Sequence, residues 1–481
     1  MNDTRQACCD RTDKGDRDHF DLVVIGAGSA GFSAAITAAE LGAKVALVGH
    51  GTIGGTCVNV GCVPSKTLIR ATETLHQAAA AARFAGIRGQ ASLDDWRAVI
   101  AQKDELVAEL RQAKYSDLLP SYNNVAYLEG AARLTGEGVA MNGSLLRSDK
   151  VIIATGASAA VPPIPGIESV PYLTSTTAME LERLPASLLV IGGGYIGCEL
   201  SQMFARAGVE VTIVCRSRLL PKTEPEISAA LAGCFRDEGI TVHEGISYQE
   251  IRATERGVAL DLEVNGCVET IEAERVLVGT GRQPNTAGLG VQDVAVELTG
   301  NGGIGVNDYL QTTNPDIYAA GDATGRDQFV YMAAYGAKLA ADNALNGNNR
   351  RYDAAAMPSV IFTDPQVAGV GLTEAQARAR GLDAKAAVLP LSYLPRALAA
   401  RDTRGLVKLV AEAGSGRLLG AHLLAPEGAD SIQTAALAIK HGMTVRELGD
   451  TIFPYLTTVE GLKLAAQTFD KDVTKLSCCA G

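Results

Sequence analysis

Short, nearly unbroken apolar runs that end in glycine turns, each followed by a helical stretch, set the rhythm of the first half of this chain. Phe20-Asp21-Leu22-Val23-Val24-Ile25 is such a run, and Gly26-Ala27-Gly28-Ser29-Ala30-Gly31 leads from it into an alanine-rich helix reaching Leu41. Lys44 to Val48 reads as the next strand. The pattern returns at Leu188-Leu189-Val190-Ile191, followed by Gly192-Gly193-Gly194-Tyr195-Ile196-Gly197 and a strand from Val209 to Val214. Brief apolar runs bounded by glycine and alternating with helices predict an α/β chain with parallel strands. Between the two repeats, Ser92-Leu93-Asp94-Asp95 reads as a capping box opening a helix through Trp96, Leu106 and Leu110 towards Tyr115. Pro162, Pro163 and Pro165 mark a linker, and from about Met357 strands and helices continue without glycine fingerprints.

Each repeat is G-x-G-x-x-G set between a strand and a helix, the context that makes this spacing informative. Gly26 permits the tight turn, Gly28 lets the backbone approach a pyrophosphate, and Gly31 lets helix and strand pack closely; Gly192, Gly194 and Gly197 repeat the arrangement. Two such halves imply two dinucleotides. Where the first half should end its second strand in a ribose-binding acid, it has Gly49 with His50 after it, so another group or water must satisfy the ribose hydroxyls. In the second half Cys215 ends the strand, and Arg216 and Arg218 follow where a 2′-phosphate would lie. A guanidinium there selects NADPH, since NAD sites place an acid on the free hydroxyl. The alternative is a pair of solvated surface arginines.

The stretch Gly54-Gly55-Thr56-Cys57-Val58-Asn59-Val60-Gly61-Cys62-Val63-Pro64-Ser65-Lys66 carries the reactive chemistry. A helix beginning here aims backbone N–H groups and its positive dipole end at the sulfurs, which favours thiolate over thiol. In an ideal helix the step from Cys57 to Cys62 rises about 7.5 Å and turns well past 90°, too far for a disulfide. Pairing therefore requires an irregular first turn, and Gly61 is its expected source. Lys66 follows Cys62 by one turn on the same face, where a cation supports a thiolate or an anionic cofactor. The plainer alternative is two structural thiols in a glycine-rich loop.

Composition removes other classes of function. A chain of 481 residues is long enough for about three domains, and 47% hydrophobic residues can fill their cores. A net charge of -11 without a basic cluster argues against a nucleic-acid surface. No run of about 18 apolar residues exists, so no membrane span is expected. The first twenty residues are charged and lack an apolar core, so the expected location is the cytoplasm. Ten cysteines in that compartment read as catalytic, metal-binding or incidental. Cys198, Cys215, Cys234 and Cys267 read as small core residues. Cys8-Cys9 sits in an arm, residues 1–19, expected to be disordered. At the other end, Cys478-Cys479 places two soft ligands side by side; their Cα atoms, about 3.8 Å apart, lie below the usual disulfide range.

The dithiol stretch resembles the redox helix of the flavin disulfide reductases, the family that includes glutathione reductase, dihydrolipoamide dehydrogenase and thioredoxin reductase. The resemblance implies two Rossmann-like dinucleotide-binding domains plus a C-terminal α+β dimerisation domain. Its boundaries would be an FAD domain at 20–157 and 279–350, an NADPH domain at 158–278, an interface domain at 351–470 and a cysteine tail at 471–481. FAD would take the first fingerprint together with Thr56, the turn at Gly156, and Asp322 of Ile317-Tyr318-Ala319-Ala320-Gly321-Asp322, which matches the family's second flavin motif. Glu199 matches the residue that pairs with the lysine of the dithiol helix, here Lys66.

In reductases of organic disulfides the interface domain carries a His-Pro-Thr motif whose histidine is the exchange catalyst. The matching run here is Tyr455-Leu456-Thr457-Thr458-Val459-Glu460, and a tyrosine accepts no proton near neutral pH. With the terminal thiols, this resembles the members of the family that reduce Hg(II) to Hg(0). That likeness implies Hg(II) held by Cys57 and Cys62, with Cys62 next to the flavin. It also implies a homodimer in which Cys478 and Cys479 of the partner subunit receive the metal from thiol complexes. Tyr455 and Tyr115 match that branch's two active-site tyrosines; Tyr115 alternatively packs its helix. The resemblance spans about residues 20 to 481, and Cys8-Cys9 stands where many of those proteins carry a separate metal-binding domain. Two other readings stay open: a large thioredoxin-reductase-type enzyme, and a non-catalytic thiol buffer on an old flavoprotein fold.

Overall fold

The computed structural model describes residues 19–473, so Cys8, Cys9, Cys478 and Cys479 lie outside the described residues. The chain forms two compact units. Among the described residues, one comprises 19–59, Glu109–Ser158 and Gln283–Tyr352. In it β1 (His19–Ile25), α1 (Ser29–Glu40), β2 (Val45–Gly49) and α2 (Gly55–Val60) follow in order. Four further strands, β3 (Val125–Glu129), β4 (Ala132–Thr135), β5 (Gly138–Met141) and β6 (Ser144–Ile153), complete a sheet ordered β3-β2-β1-β6-β5-β4, and the strand Ile317–Ala319 pairs with β6. The β3-β2-β1-β6 core is parallel, whereas β4 and β5 form an antiparallel extension. Leu22 and Val24 pack with Ala34, Ala38 and Ala337, while Val23 and Ile25 pack with Val139, Leu289 and Ile304. Both faces are thus covered, which is why β1 is an unbroken apolar run rather than an alternating one.

The other unit holds Val60–Ala108, Ala159–Arg282 and residues 353–473. It carries α3 (Cys62–Ala80) and a second parallel sheet, ordered Thr241–Glu244, Glu210–Cys215, Ser187–Ile191 and Arg275–Val278. A three-stranded antiparallel sheet spans residues 247–273. Its last part is a five-stranded sheet, ordered Pro358–Ile361, Gln366–Gly371, Leu418–Ala425, Leu406–Glu412 and Ala384–Pro390. Ile432, Ala435, Leu448 and Leu462, from the helices that follow, pack on it, which gives the α+β character expected there. No helix among the described residues is long and apolar enough to cross a membrane.

Two local expectations need correction. The helix after the dithiol segment begins at Trp96, and its cap is Asp95, whose Oδ1 accepts the N–H of Arg97 at 2.9 Å. Ser92 instead donates to Asp94 Oδ1 at 2.7 Å. A cap must reach the second or third helical N–H, and Ser92 is too far upstream. Cys198, Cys215 and Cys234 are buried, but Cys267 is exposed. It follows a two-residue turn, Asn265-Gly266, with φ of 52° and 81°, so it stands at a hairpin tip rather than in a core.

His76 and His422 are both held below the ordinary imidazole pKa, in each case first by burial, with the Arg206 charge next for His76. The unfolded chain binds protons at these positions near pH 6.5 and the folded chain resists them, so stability is lost as pH falls below about 6.5. Denaturant midpoints at about pH 7.5 and 5.5 should show the drop, and His76→Asn should make it shallower.

Candidate active site

The helical dithiol stretch breaks where the cysteine spacing requires it. α2 ends at Val60, α3 begins at Cys62, and Gly61 between them has φ -131° and ψ -107°, neither helical nor extended. Cys57 lies in the first turn of α2 and Cys62 is the first residue of α3; both are partly buried. Each sulfur is therefore carried by a helix start rather than by one continuous helix. The two glycines ahead of them are steric necessities. Gly54 forms a bridge with Gly28, and a Cβ on Gly55 would lie 2.6 Å from the Gly28 Cα, with φ at +66°. The segment thereby starts against the first fingerprint.

One turn into α3, Lys66 Nζ donates to Glu199 Oε2 at 2.7 Å, and the Phe362 N–H donates to Glu199 Oε1 at 2.8 Å. Lys66 Nζ also stands 4.9 Å from the centroid of the Phe362 ring. Glu199 is buried, so its charge needs both partners. The expected Lys66–Glu199 pair is formed. Phe362 is the member that sequence reasoning missed: it is 163 residues from Glu199, its contribution is a backbone N–H, and no spacing rule detects that.

Tyr115 lies in a π-helical turn, Gln112–Ser116, that ends the helix begun at Trp96. Such turns recur at functional sites. Its ring meets Phe32 edge-on with centroids 4.7 Å apart, its hydroxyl is 3.3 Å from Ser29 Oγ, and a Cβ on Gly54 would stand 3.3 Å from its Cδ2. It thus packs against the helix that follows the first fingerprint and borders the start of the dithiol segment. Asp322 sits in a short helical turn, Gly321–Thr324, and a Cβ on Gly321 would be 3.1 Å from Ala30 Cβ, beside the first fingerprint. Gly156, with φ +71°, accepts the N–H of Asn285 at 2.9 Å and has open space where a Cβ would be. Tyr455 is 56% exposed, whereas Glu460, five residues on, is buried and accepts the Leu456 N–H at 3.2 Å. Among the described residues there is no cluster of three or more metal-ligating side chains.

In the second fingerprint a Cβ on Gly192 would lie 2.5 Å from the Gly279 carbonyl oxygen, and one on Gly197 only 2.0 Å from the Gly192 oxygen. Arg216 is exposed just past the strand Glu210–Cys215. Arg218 is used differently from Arg216: its Nη2 donates to the carbonyls of Pro221 at 3.1 Å and Thr223 at 2.6 Å, binding its own loop. Burial pushes the Cys198 thiol well up and the Cys215 thiol up to about 11, so neither is a ready thiolate. Gly197→Ala has no backbone-compatible position for its methyl group. It should cut the rate of flavin reduction by NADPH at least about tenfold while leaving the bound flavin reducible by dithionite, which a stopped-flow absorbance measurement resolves.

Comparison with known proteins agrees with this geometry. The description "Pyridine nucleotide-disulphide oxidoreductase" matches residues 20–341, and its dimerisation domain matches residues 357–466. A mercuric reductase of Streptomyces lividans is 48% identical, covering 96% of this chain and 98% of that protein. One from Lysinibacillus sphaericus is 47% identical, covering 96% and 85%. Among solved structures, the HOCl-induced flavoprotein disulfide reductase RclA of Escherichia coli superposes with a TM-score of 0.81 at 31% identity, covering 93% of this chain and 99% of that one. Two glycine fingerprints, a dithiol split by Gly61 and a near-full-length likeness to mercuric reductases together place this chain in the pyridine nucleotide-disulphide oxidoreductase family.

Proposed function

We propose that this chain passes two electrons from NADPH through FAD to Hg(II) held by Cys57 and Cys62, and releases Hg(0). The observation that carries the reading is the 48% identity to a mercuric reductase over 96% of the chain. The glycines support both dinucleotides: a Cβ on Gly28 would meet nothing nearer than 3.5 Å and one on Gly194 nothing nearer than 3.8 Å, which leaves the backbone open to a pyrophosphate. Gly26, Gly28, Gly31, Thr56, Gly156 and Asp322 would hold FAD; Gly192, Gly194 and Gly197 would hold NADPH, with Arg216 on the 2′-phosphate. When bound, these cofactors supply a hydride and pass on its electron pair.

The chain's own residues do the rest. Cys62 heads α3, and Lys66 keeps a positive charge one turn away, held there by Glu199; both favour the thiolate. Two thiolates suit a soft ion that needs few ligands. Reduction consumes two electrons per Hg(II), leaves neutral mercury without affinity for the site, and returns both sulfurs as thiolates. The phenols of Tyr115 and Tyr455 serve as proton donors while thiol ligands exchange. Hg(II) arrives as thiol complexes, first at Cys478 and Cys479 of the partner subunit. The subunits pair through the segment matched to the dimerisation domain, where Ile452, Tyr455 and Leu456 are exposed. A reducing cytoplasm suits both the thiols and the NADPH supply.

The test sets Hg(II)-dependent NADPH oxidation beside a thioredoxin-reduction assay on the same preparation. Turnover with Hg(II) supports the proposal. Turnover with thioredoxin alone would transfer the chain to the thioredoxin-reductase reading.

A further inference from the structure

β2 ends at Gly49, which has no side chain to offer a ribose. The gap is not empty. A Cβ on Gly49 would stand 2.6 Å from Tyr127 Oη and 2.8 Å from Ala27 Cβ, so an acid at position 49 has no room while Tyr127 is present. Ala27 lies between the first two glycines of the fingerprint, which puts this spot beside the pyrophosphate turn. Parallel pairing sets Gly49 against Glu129, and the Gly130 N–H donates to the Gly49 carbonyl at 2.7 Å, so the register holds to the ends of both strands. Partnered residues in a parallel ladder share a face, and Tyr127, two residues before Glu129, shares it too. Neighbouring strands lie about 4.8 Å apart, a span that a glutamate side chain covers. Asn142 Nδ2 donates to the Glu129 carbonyl at 2.9 Å and pins its backbone, while its side chain faces solvent. Burial raises the Tyr127 hydroxyl pKa, and the Glu129 charge adds to it, so the two groups sense each other.

We propose that Glu129, with the Tyr127 hydroxyl beside it, binds the ribose hydroxyls of the FAD adenosine from β3, in place of a carboxylate at the end of β2. The inference rests on the reading that FAD occupies the first fingerprint. A carboxylate accepts from both hydroxyls of a vicinal diol, and the phenol can donate or accept alongside it. The acid has moved one strand over, and Tyr127 fills the space left behind.

The test is titration of the FAD-stripped full chain with FAD and with its 2′-deoxyadenosine analogue, followed by flavin fluorescence. The parent should prefer FAD. Glu129→Gln should weaken FAD about ten- to a hundredfold and erase that preference, and Tyr127→Phe should weaken it less. Parent-like affinity and preference in a folded Glu129→Gln chain would overturn the inference while leaving the flavoprotein reading intact. A parent that takes up no FAD would overturn that reading, and this inference with it.

Discussion

Replacing either Cys57 or Cys62 by serine is expected to lower Hg(II)-dependent NADPH oxidation by a factor on the order of 10³ or more, the scale seen when a residue that acts as one unit with its partner is lost. The sulfurs sit in the first turns of two separate helices joined at Gly61. A serine hydroxyl is a hard, neutral oxygen that stays protonated at neutral pH, so one soft thiolate is left where Hg(II) prefers two. The glycine fingerprints are untouched by the change, so both variants should retain flavin and be reduced by NADPH at the parent rate. Stopped-flow absorbance separates the two steps. Substantial mercury-dependent reoxidation in either single variant would contradict the role assigned to the pair.

The largest expected effect on stability belongs to a buried lysine, Lys408. Lys408 Nζ donates to Glu224 Oε2 at 3.0 Å and Glu226 Oε1 at 2.8 Å, and Glu374 Oε2 is 3.0 Å away; the side chains of Lys408 and Glu224 are each 2% exposed. Lys408→Met keeps the volume and removes the charge, which strands the Glu224 carboxylate without its cation. Breaking a buried pair from one side costs about 3–5 kcal/mol, and denaturant unfolding of the variant should show a loss of that size. Burial alone would lower the Lys408 pKa, but hydrogen bonds to Glu226, Glu374 and Glu224 outweigh it and hold the ammonium above the lysine range. A raised folded-state pKa contributes stability that is complete below the unfolded value of about 10.4 and disappears as pH rises beyond it. Alkaline unfolding of the parent should therefore be steeper than that of Lys408→Met.

Local pattern and long-range packing were unequally legible in the sequence. Both fingerprints, the strand–turn–helix order around them and the break at Gly61 follow from spacing and backbone geometry within a few residues, and the structure has them where the pattern puts them. The Lys66–Glu199 pair was reachable only through resemblance, since 133 residues separate its members. Nothing local announces the Lys408 cluster or the Arg206–Glu238–Asp364–Arg404 network, whose members meet across separations of 32 to 166 residues (404 minus 238). Gly49 is the instructive position. Read alone it is a missing acid; beside Tyr127 and Glu129, brought to it by the β2–β3 register, it is one half of an exchange between strands. Arg218 shows the converse, a residue whose type suits a phosphate but whose Nη2 is committed to two carbonyls of its own loop.

The most direct test of the central claim is a stoichiometry. The purified chain, supplied with FAD, NADPH and a Hg(II)–thiol complex in a closed vessel, should release one Hg(0) into the gas phase for each NADPH oxidised, since both are two-electron changes. NADPH consumption with all of the mercury left in solution as Hg(II) would contradict it.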